Sequence, residues 1–78
     1  MQLEINSDYI TLGQLLKRVD VIGSGGEVKA FLENTQVRVN GEIEARRGRK
    51  LYHGNSIHIQ GFGKVQVVSI EGGSSDAS

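Results

Sequence analysis

Four cations lie close together in the middle of this chain, within the run Arg46-Arg47-Gly48-Arg49-Lys50. No acidic residue interrupts the run, and three of its four cations are arginine. The planar guanidinium group of arginine binds phosphate oxygens through two parallel hydrogen bonds and stacks on bases. Gly48 gives the segment the freedom to fold onto a phosphate backbone. The run therefore predicts contact with nucleic acid, although a solvated loop would have the same composition.

The charge balance of the whole chain limits this prediction to a local surface. Nine basic residues balance nine acidic residues, so the net charge at pH 7 is zero and a general polyanion binder is not expected. Exposed charges separated by more than about 8–10 Å are largely screened at physiological salt, so the density of the 46–50 run matters more than the total. Glu42 and Glu44 precede the run and can pair with its arginines, which would weaken it.

Few other kinds of site have support in the composition. The chain has no cysteine, so disulfides and thiolate metal sites are excluded, and His53 and His58 have no acidic neighbours at a metal-ligand spacing. There is no Ser-His-acid pattern and no phosphate loop with its lysine, so we expect no enzyme activity, no metal and no cofactor. Neither a membrane-spanning run nor a signal peptide is recognisable, which makes the cytoplasm the expected location.

A tight hairpin is predicted directly before the cation run. The segment Val37-Arg38-Val39-Asn40-Gly41-Glu42-Ile43 alternates apolar and polar residues around an Asn-Gly pair. Asn-Gly favours a type I′ turn, because both central residues must take a positive φ. Arg38 should face away from the two valines, toward solvent or a ligand, whereas Asn40 is most simply a turn residue.

Two helices are predicted before this hairpin. Thr11 and Gln14 have the spacing of a capping box, and apolar residues follow at helical spacing, at Leu12, Leu15, Leu16 and Val19. Ser24 and Glu27 predict a second capping box, and the second helix should end near Asn34, with apolar positions at Val28, Phe31 and Leu32.

The start of the second helix is another candidate anion site. Ser24-Gly25-Gly26 would expose backbone amides where the helix dipole favours an anion, and Lys29 lies one turn further on. An ordinary capped helix with a flexible start is the alternative interpretation. Lys29 can also pair with Glu33 four residues later, for about 0.2–0.5 kcal/mol.

Strands are predicted near both ends of the chain. Leu3 and Ile5 alternate in a short strand, expected at a sheet edge, and two further strands are predicted at residues 56–60 and 65–70. Residues 51–55 are expected to form a turn, with Tyr52 at a sheet rim rather than under a base, and both Phe31 and Phe62 are expected in the core.

This order of elements predicts an α+β fold in which two helices pack on one face of a small antiparallel sheet. Residues 1–71 would form a single domain. Residues 72–78 contain no core-forming residue and are expected to be a disordered tail.

The ordered combination of these features resembles the alpha-L RNA-binding motif, the domain of the fourth protein of the small ribosomal subunit. The resemblance rests on the first helix, the Ser-x-x-Glu start of the second, the Val-x-Val-Asn-Gly hairpin, and Gly54 followed by an Ile-x-Ile strand. It covers residues 11–59 and, more loosely, everything except the tail. The cation run and the lack of a second domain resemble the small stand-alone bacterial members, the YbcJ-like proteins.

In that family the second helix, its start and the following hairpin face RNA. By position, the resemblance implies RNA contacts at Ser24, Gly25, Lys29, Arg38 and Asn40, and in the stand-alone subfamily also at Arg46, Arg47, Arg49 and Lys50. Many members have arginine directly after the cap serine, where this chain has glycine. That departure leaves any phosphate contact at the helix start to backbone amides. Many members also have Gly-Asp where this chain has Gly54-Asn55, a difference expected to affect the turn.

The function implied by the resemblance is that of a small monomeric, non-catalytic protein that binds structured RNA, namely ribosomal RNA or its precursors. A preference for RNA over DNA rests on the resemblance and not on charge. One alternative is a β-grasp sulfur carrier, because a strand precedes Gly72-Gly73, although such proteins begin with a hairpin and end at the second glycine. Another alternative is a protein-interaction module whose arginines dock an acidic protein.

Overall fold

The computed structural model describes residues 1–70, which form seven strands, two α-helices and one 3₁₀ turn. The elements in chain order are β1 (Gln2–Ile5), β2 (Tyr9–Thr11), α1 (Leu12–Arg18), a 3₁₀ turn (Gly25–Glu27), α2 (Val28–Asn34), β3 (Val37–Val39), β4 (Glu42–Ile43), β5 (Lys50–Tyr52), β6 (Ser56–Ile59) and β7 (Gly63–Ser69). The predicted tail at residues 72–78 lies outside the described residues.

The strands form two sheets, and the larger one is mixed. Its order is β1-β7-β6-β3-β4, with β1 parallel to β7 and every other pair antiparallel. The predicted α+β class with two helices is confirmed, but the sheet is not antiparallel throughout. Parallel neighbours need a long crossover, and the whole chain between β1 and β7 provides it. The expected edge position of the first strand is confirmed.

A second, two-stranded sheet pairs β2 with β5 in antiparallel orientation. The turn expected at residues 51–55 is therefore wrong at its start, because residues 50–52 are extended and pair with a distant segment. Since β1 and β2 lie in different sheets, the N-terminal hairpin required by the β-grasp alternative is not present in the described part of the chain.

The first helix begins as predicted. The Thr11 hydroxyl accepts from the Gln14 amide at 3.3 Å, and the Gln14 side chain accepts from the Thr11 amide at 3.0 Å, so the capping box is complete. Three leucines of the apolar stripe are fully buried under the sheet, at Leu12, Leu15 and Leu16.

The second helix begins differently from the prediction. The 3₁₀ turn precedes it, its cap residue is Glu27, and no side chain caps it. The prediction that Ser24 caps this helix through its hydroxyl is therefore wrong. The Glu27 side chain instead accepts from the Gly23 amide at 2.8 Å, and the Glu27 amide donates to the Ser24 carbonyl at 3.1 Å. Two consecutive glycines allow the tighter turn, which moves the α-helical start beyond the serine.

The hairpin has the predicted turn. Asn40 and Gly41 have φ values of 53° and 90°, the left-handed conformation that a type I′ turn needs at both positions. A two-residue turn sets Ile43 opposite Arg38, so both side chains point away from the helices, and Ile43 is 64% exposed.

One apolar core lies between the helices and the inner face of the larger sheet. Side chains from every strand of that sheet except β4 contribute to it, as do both helices and β5, through Leu51. Phe31 packs against this core as predicted, but Phe62 lies in the turn between β6 and β7 and is 42% exposed, so its predicted core position is wrong. Within residues 1–70 no helix has the length and apolar character needed to cross a membrane.

Candidate nucleic-acid interface

The cation run belongs to a segment that we call the basic loop, residues 44–50, which follows β4 and ends at Lys50, the first residue of β5. Its backbone is anchored on the start of α1. The Leu12 amide donates to the Arg49 carbonyl and the Gly13 amide donates to the Arg47 carbonyl, both at 2.9 Å. These are the first amides of the helix, which have no partner within the helix itself. The anchoring therefore uses the backbone of the loop and none of its arginine side chains.

A single carboxylate organises the arginines of the basic loop. Glu44 is only 8% exposed, and its backbone amide donates to the Val37 carbonyl at 2.8 Å. Its carboxylate accepts from the amides of Ala45 and Arg46, both at 3.1 Å. It also accepts from two guanidinium groups, at 3.1 and 3.3 Å from Arg46 and at 2.7 Å from Arg49. The expectation that a preceding glutamate pairs with the run is confirmed for Glu44.

These contacts change the titration of the carboxylate. The side-chain hydrogen bonds from Arg46 are the largest cause, and they lower the pKa of Glu44 to about 2 with help from the Arg46 amide and Arg49, against the opposing effect of burial. The same pair raises the pKa of the Arg46 guanidinium. Glu44 therefore stays ionised at neutral pH and holds two arginines in a defined position.

The basic loop keeps an excess of positive charge after this pairing. It contains four cations and one anion. Arg46 is 78% exposed and Arg49 is 34% exposed, so both still reach solvent. Arg47 makes no ion pair with any residue in the range 1–70, and the Lys50 ammonium lies 4.9 Å from the ring centre of Tyr9.

An open groove brings the second helix and the basic loop together. Its volume is about 480 Å³, and its lining includes Lys29 and Glu33 from α2 and Ala45 and Arg47 from the loop. Two cations that are distant in sequence therefore share one groove. Lys29 and Glu33 form no ion pair, so the alternative role considered for Lys29 is not observed.

The remaining predicted residues do not lie in this groove. Arg38 is on the outer face of the sheet, where its guanidinium donates to the Gln36 side chain at 3.3 and 3.2 Å. Asn40 is tied into the fold, because its side-chain oxygen accepts from the Ser56 amide at 2.9 Å and its amide donates to the Ser56 carbonyl at 2.7 Å.

Ser24 is exposed just before the 3₁₀ turn, and Gly25 is the first residue of that turn. The carboxylate of Glu27 lies at the same helix start, bonded to the amide of Gly23. An acid at this position occupies the Gly23 amide and opposes the binding of an external anion through its own negative charge.

Two tyrosines beside the basic loop were not expected to form a surface. Tyr9 and Tyr52 are directly opposite each other in the β2–β5 sheet, with ring centres 6.0 Å apart and ring planes inclined by 55°. They are 40% and 49% exposed. The only sign of this strand in the sequence was the alternation of Lys50 and Tyr52 around Leu51. That pattern could be recognised as a strand only together with its distant partner, β2.

Across residues 1–70 no group of three His, Asp or Glu side chains is placed to hold a metal ion.

Comparison with known proteins gives one family and one close relative. A family model described as the S4 domain matches residues 3–68. The chain is also 54% identical over 67 residues to the protein named "Probable ribosome maturation protein RlbA" from Bacillus subtilis (strain 168). That alignment spans 86% of this chain and 94% of the relative.

Proposed function

Because the chain belongs to the S4-domain family, we propose that it is a small non-catalytic protein that binds structured RNA through the basic loop and the groove beside it. The RNA is ribosomal RNA or a precursor of it, bound in the cytoplasm. The printed name of the Bacillus subtilis relative, a ribosome maturation protein, supports this choice. The observation that carries the proposal is the convergence of Arg47 and Lys29 on one groove, next to two arginines held by Glu44.

The arrangement of the basic loop suits phosphate binding. A rigid set of guanidinium groups loses less conformational freedom on binding than free side chains would, so more of the interaction energy remains as affinity. Glu44 provides that rigidity by holding Arg46 and Arg49 while both remain partly exposed. Arg47 and Lys29 are not paired within the described chain and are the first cations that a phosphate in the groove would meet.

Four other candidate residues lie outside the groove. Ser24 and Gly25 form the margin of the surface, where the Glu27 carboxylate reduces their value for an anion. Arg38 and Asn40 contribute only if the RNA also contacts the outer side of the hairpin. A cation patch of this size, without a helix shaped for a major groove, suits recognition of RNA by shape and phosphate positions.

The test is a comparison of binding to structured ribosomal RNA fragments and to a DNA duplex of matched length over a range of salt concentrations. With about four phosphates engaged, the logarithm of the affinity should fall with the logarithm of salt with a slope of about −3 to −4. Neutralising Arg47 or Lys29 to glutamine should weaken binding and reduce the slope by about 1 for each residue. The backbone carbonyl of residue 47 anchors the loop, so Arg47→Gln should leave the loop in place.

Lys64→Gln is the matched control, because Lys64 is an exposed cation in β7 that does not line the groove. It should change neither the affinity nor the slope by more than a small amount. An absence of RNA binding at low salt, or equal losses in the control and in the groove variants, would contradict the proposal. If the protein instead retains a protein partner after nuclease treatment, the arginines serve as a protein-docking surface.

A further inference from the structure

A second cleft lies on the side of α1 that faces β2. Its volume is about 460 Å³. Three polar side chains of α1 line it at positions i, i+3 and i+4, namely Gln14, Lys17 and Arg18. Tyr9 of β2 also belongs to the lining. Nothing in the function proposed above uses these residues.

Tyr9 lies between this cleft and the basic loop. It lines the cleft, and it also contacts Lys50 of the loop, which is not part of the cleft lining. The partly exposed ring of Tyr52 extends the same aromatic surface. An RNA strand that leaves the basic loop along β5 would therefore pass over two aromatic rings before it reaches the cations of α1.

The polar groups of the cleft have unused hydrogen-bonding capacity. Lys17 makes no ion pair with any described residue, and Arg18 uses one amino group on the Glu4 carbonyl, at 3.1 Å. The Gln14 oxygen accepts from Thr11, which leaves its amino group as a donor. The cleft therefore combines an aromatic face, an amide donor and two cations, which are the groups that a nucleotide needs for its base and its phosphate.

We infer that this cleft, with Tyr9 as its wall, binds an unpaired RNA nucleotide whose base stacks on Tyr9 and whose phosphate lies between Lys17 and Arg18. The inference rests on the proposed RNA-binding function and adds to it a preference for a paired stem with a single-stranded flank. The basic loop holds the phosphates of the stem, and the cleft holds the first unpaired nucleotide. Stacking on tyrosine tolerates any base, so the preference concerns the junction and not its sequence.

The test uses an RNA stem-loop with a blunt end and the same stem-loop with a short single-stranded extension. The extension should raise the affinity of the unaltered protein by about tenfold, the effect of one stacked base. Tyr9→Leu should abolish this gain while binding of the blunt stem-loop is retained, which also shows that the variant is folded. Tyr9→Phe should keep the gain, because it keeps the ring. Lys17→Gln should reduce the gain, and Lys64→Gln should not.

Intrinsic fluorescence gives a direct reading of the stacking. The chain has two tyrosines and no tryptophan, so in Tyr52→Phe all emission comes from Tyr9. The extended RNA should quench this emission, after correction for its absorbance, and the blunt RNA should not. If the blunt RNA binds but the extension adds no affinity, or if the gain survives Tyr9→Leu, the cleft is not a nucleotide site and the proposed function stands. If neither RNA binds, the proposed function itself fails.

Discussion

Replacing Glu44 by glutamine should destabilise the protein at neutral pH and change how its stability responds to acid. Glutamine has nearly the same shape but no charge, so it cannot hold Arg46 and Arg49 as the carboxylate does. The pKa of Glu44 falls from 4.5 to about 2 in the folded protein. A shift of this size corresponds to about 3 kcal/mol at most, since each pKa unit is worth about 1.36 kcal/mol. Arg46 is 78% exposed and its pairing is screened by solvent, which reduces the expected loss to about 1–2 kcal/mol.

The pH dependence follows from the direction of the shift. A carboxylate whose pKa is lower in the folded state stabilises the fold fully above its unfolded pKa, and this contribution disappears as the pH falls through the folded value. The free energy of unfolding of the unaltered protein should therefore exceed that of Glu44→Gln at pH 7. The difference should shrink as the pH falls from about 5 to about 2 and be lost below the folded pKa.

Urea denaturation at a series of pH values measures both quantities. Glu42→Gln is the matched control, because Glu42 is exposed and makes no ion pair with any residue of the described chain. The control should differ from the unaltered protein by less than about 0.5 kcal/mol at every pH. A Glu44→Gln variant that is as stable as the control, or whose deficit is the same at pH 7 and pH 2.5, would refute the assigned role of Glu44.

Three further substitutions test the fold by the same denaturation measurement. Asn40→Ala should lower the free energy of unfolding by about 1–3 kcal/mol, because the variant loses the side-chain hydrogen bond to Ser56 and places alanine at a positive φ. A loss no larger than at an ordinary surface site would contradict this prediction. Gly13→Ala should raise the free energy of unfolding by about 0.4–1 kcal/mol, because the added Cβ would lie 3.5 Å from its nearest neighbours, an ordinary contact distance. A destabilised variant would contradict this prediction and show that Arg47 leaves no room for the extra carbon. Leu51→Ala should lower the free energy of unfolding by about 2–5 kcal/mol, because Leu51 of the small sheet is fully buried in the core. A loss below about 1 kcal/mol would show that the small sheet does not contribute to the core.

Local signals in the sequence predicted the parts of the fold that depend on neighbouring residues. The capping box at Thr11 and the Asn40-Gly41 turn follow from side chains a few positions apart, and both are observed. Ser24 failed as a cap because two glycines after it adopt a tighter turn, a choice that a capping pattern does not encode. The strands β2 and β5 are three residues each and become visible only when paired with each other.

The candidate site shows the same division. The cation run can be read directly from the order of residues 46–50. The pairing of Glu44 with arginines of this run was one of the options that the sequence left open. The shared groove of Lys29 and Arg47 depends on how α2 packs beside the loop. The resemblance implied RNA contacts at both residues but did not predict that they line one groove. Tyr9 and Tyr52 were missed as a pair because their proximity is a property of the small sheet.

The parallel pairing of β1 with β7 has a consequence for the order of folding. β7 is the last strand of residues 1–70, and it lies in the sheet between β1, which is made early, and β6, which directly precedes it in the chain. The helices and the β3–β4 hairpin can form from local contacts while the chain is still growing, but the sheet cannot close until β7 has emerged. Contacts between residues so distant in the chain slow the search for the native state. We therefore expect β1 to stay unpaired until β7 has been made, and an unpaired strand is open to mispairing during that time.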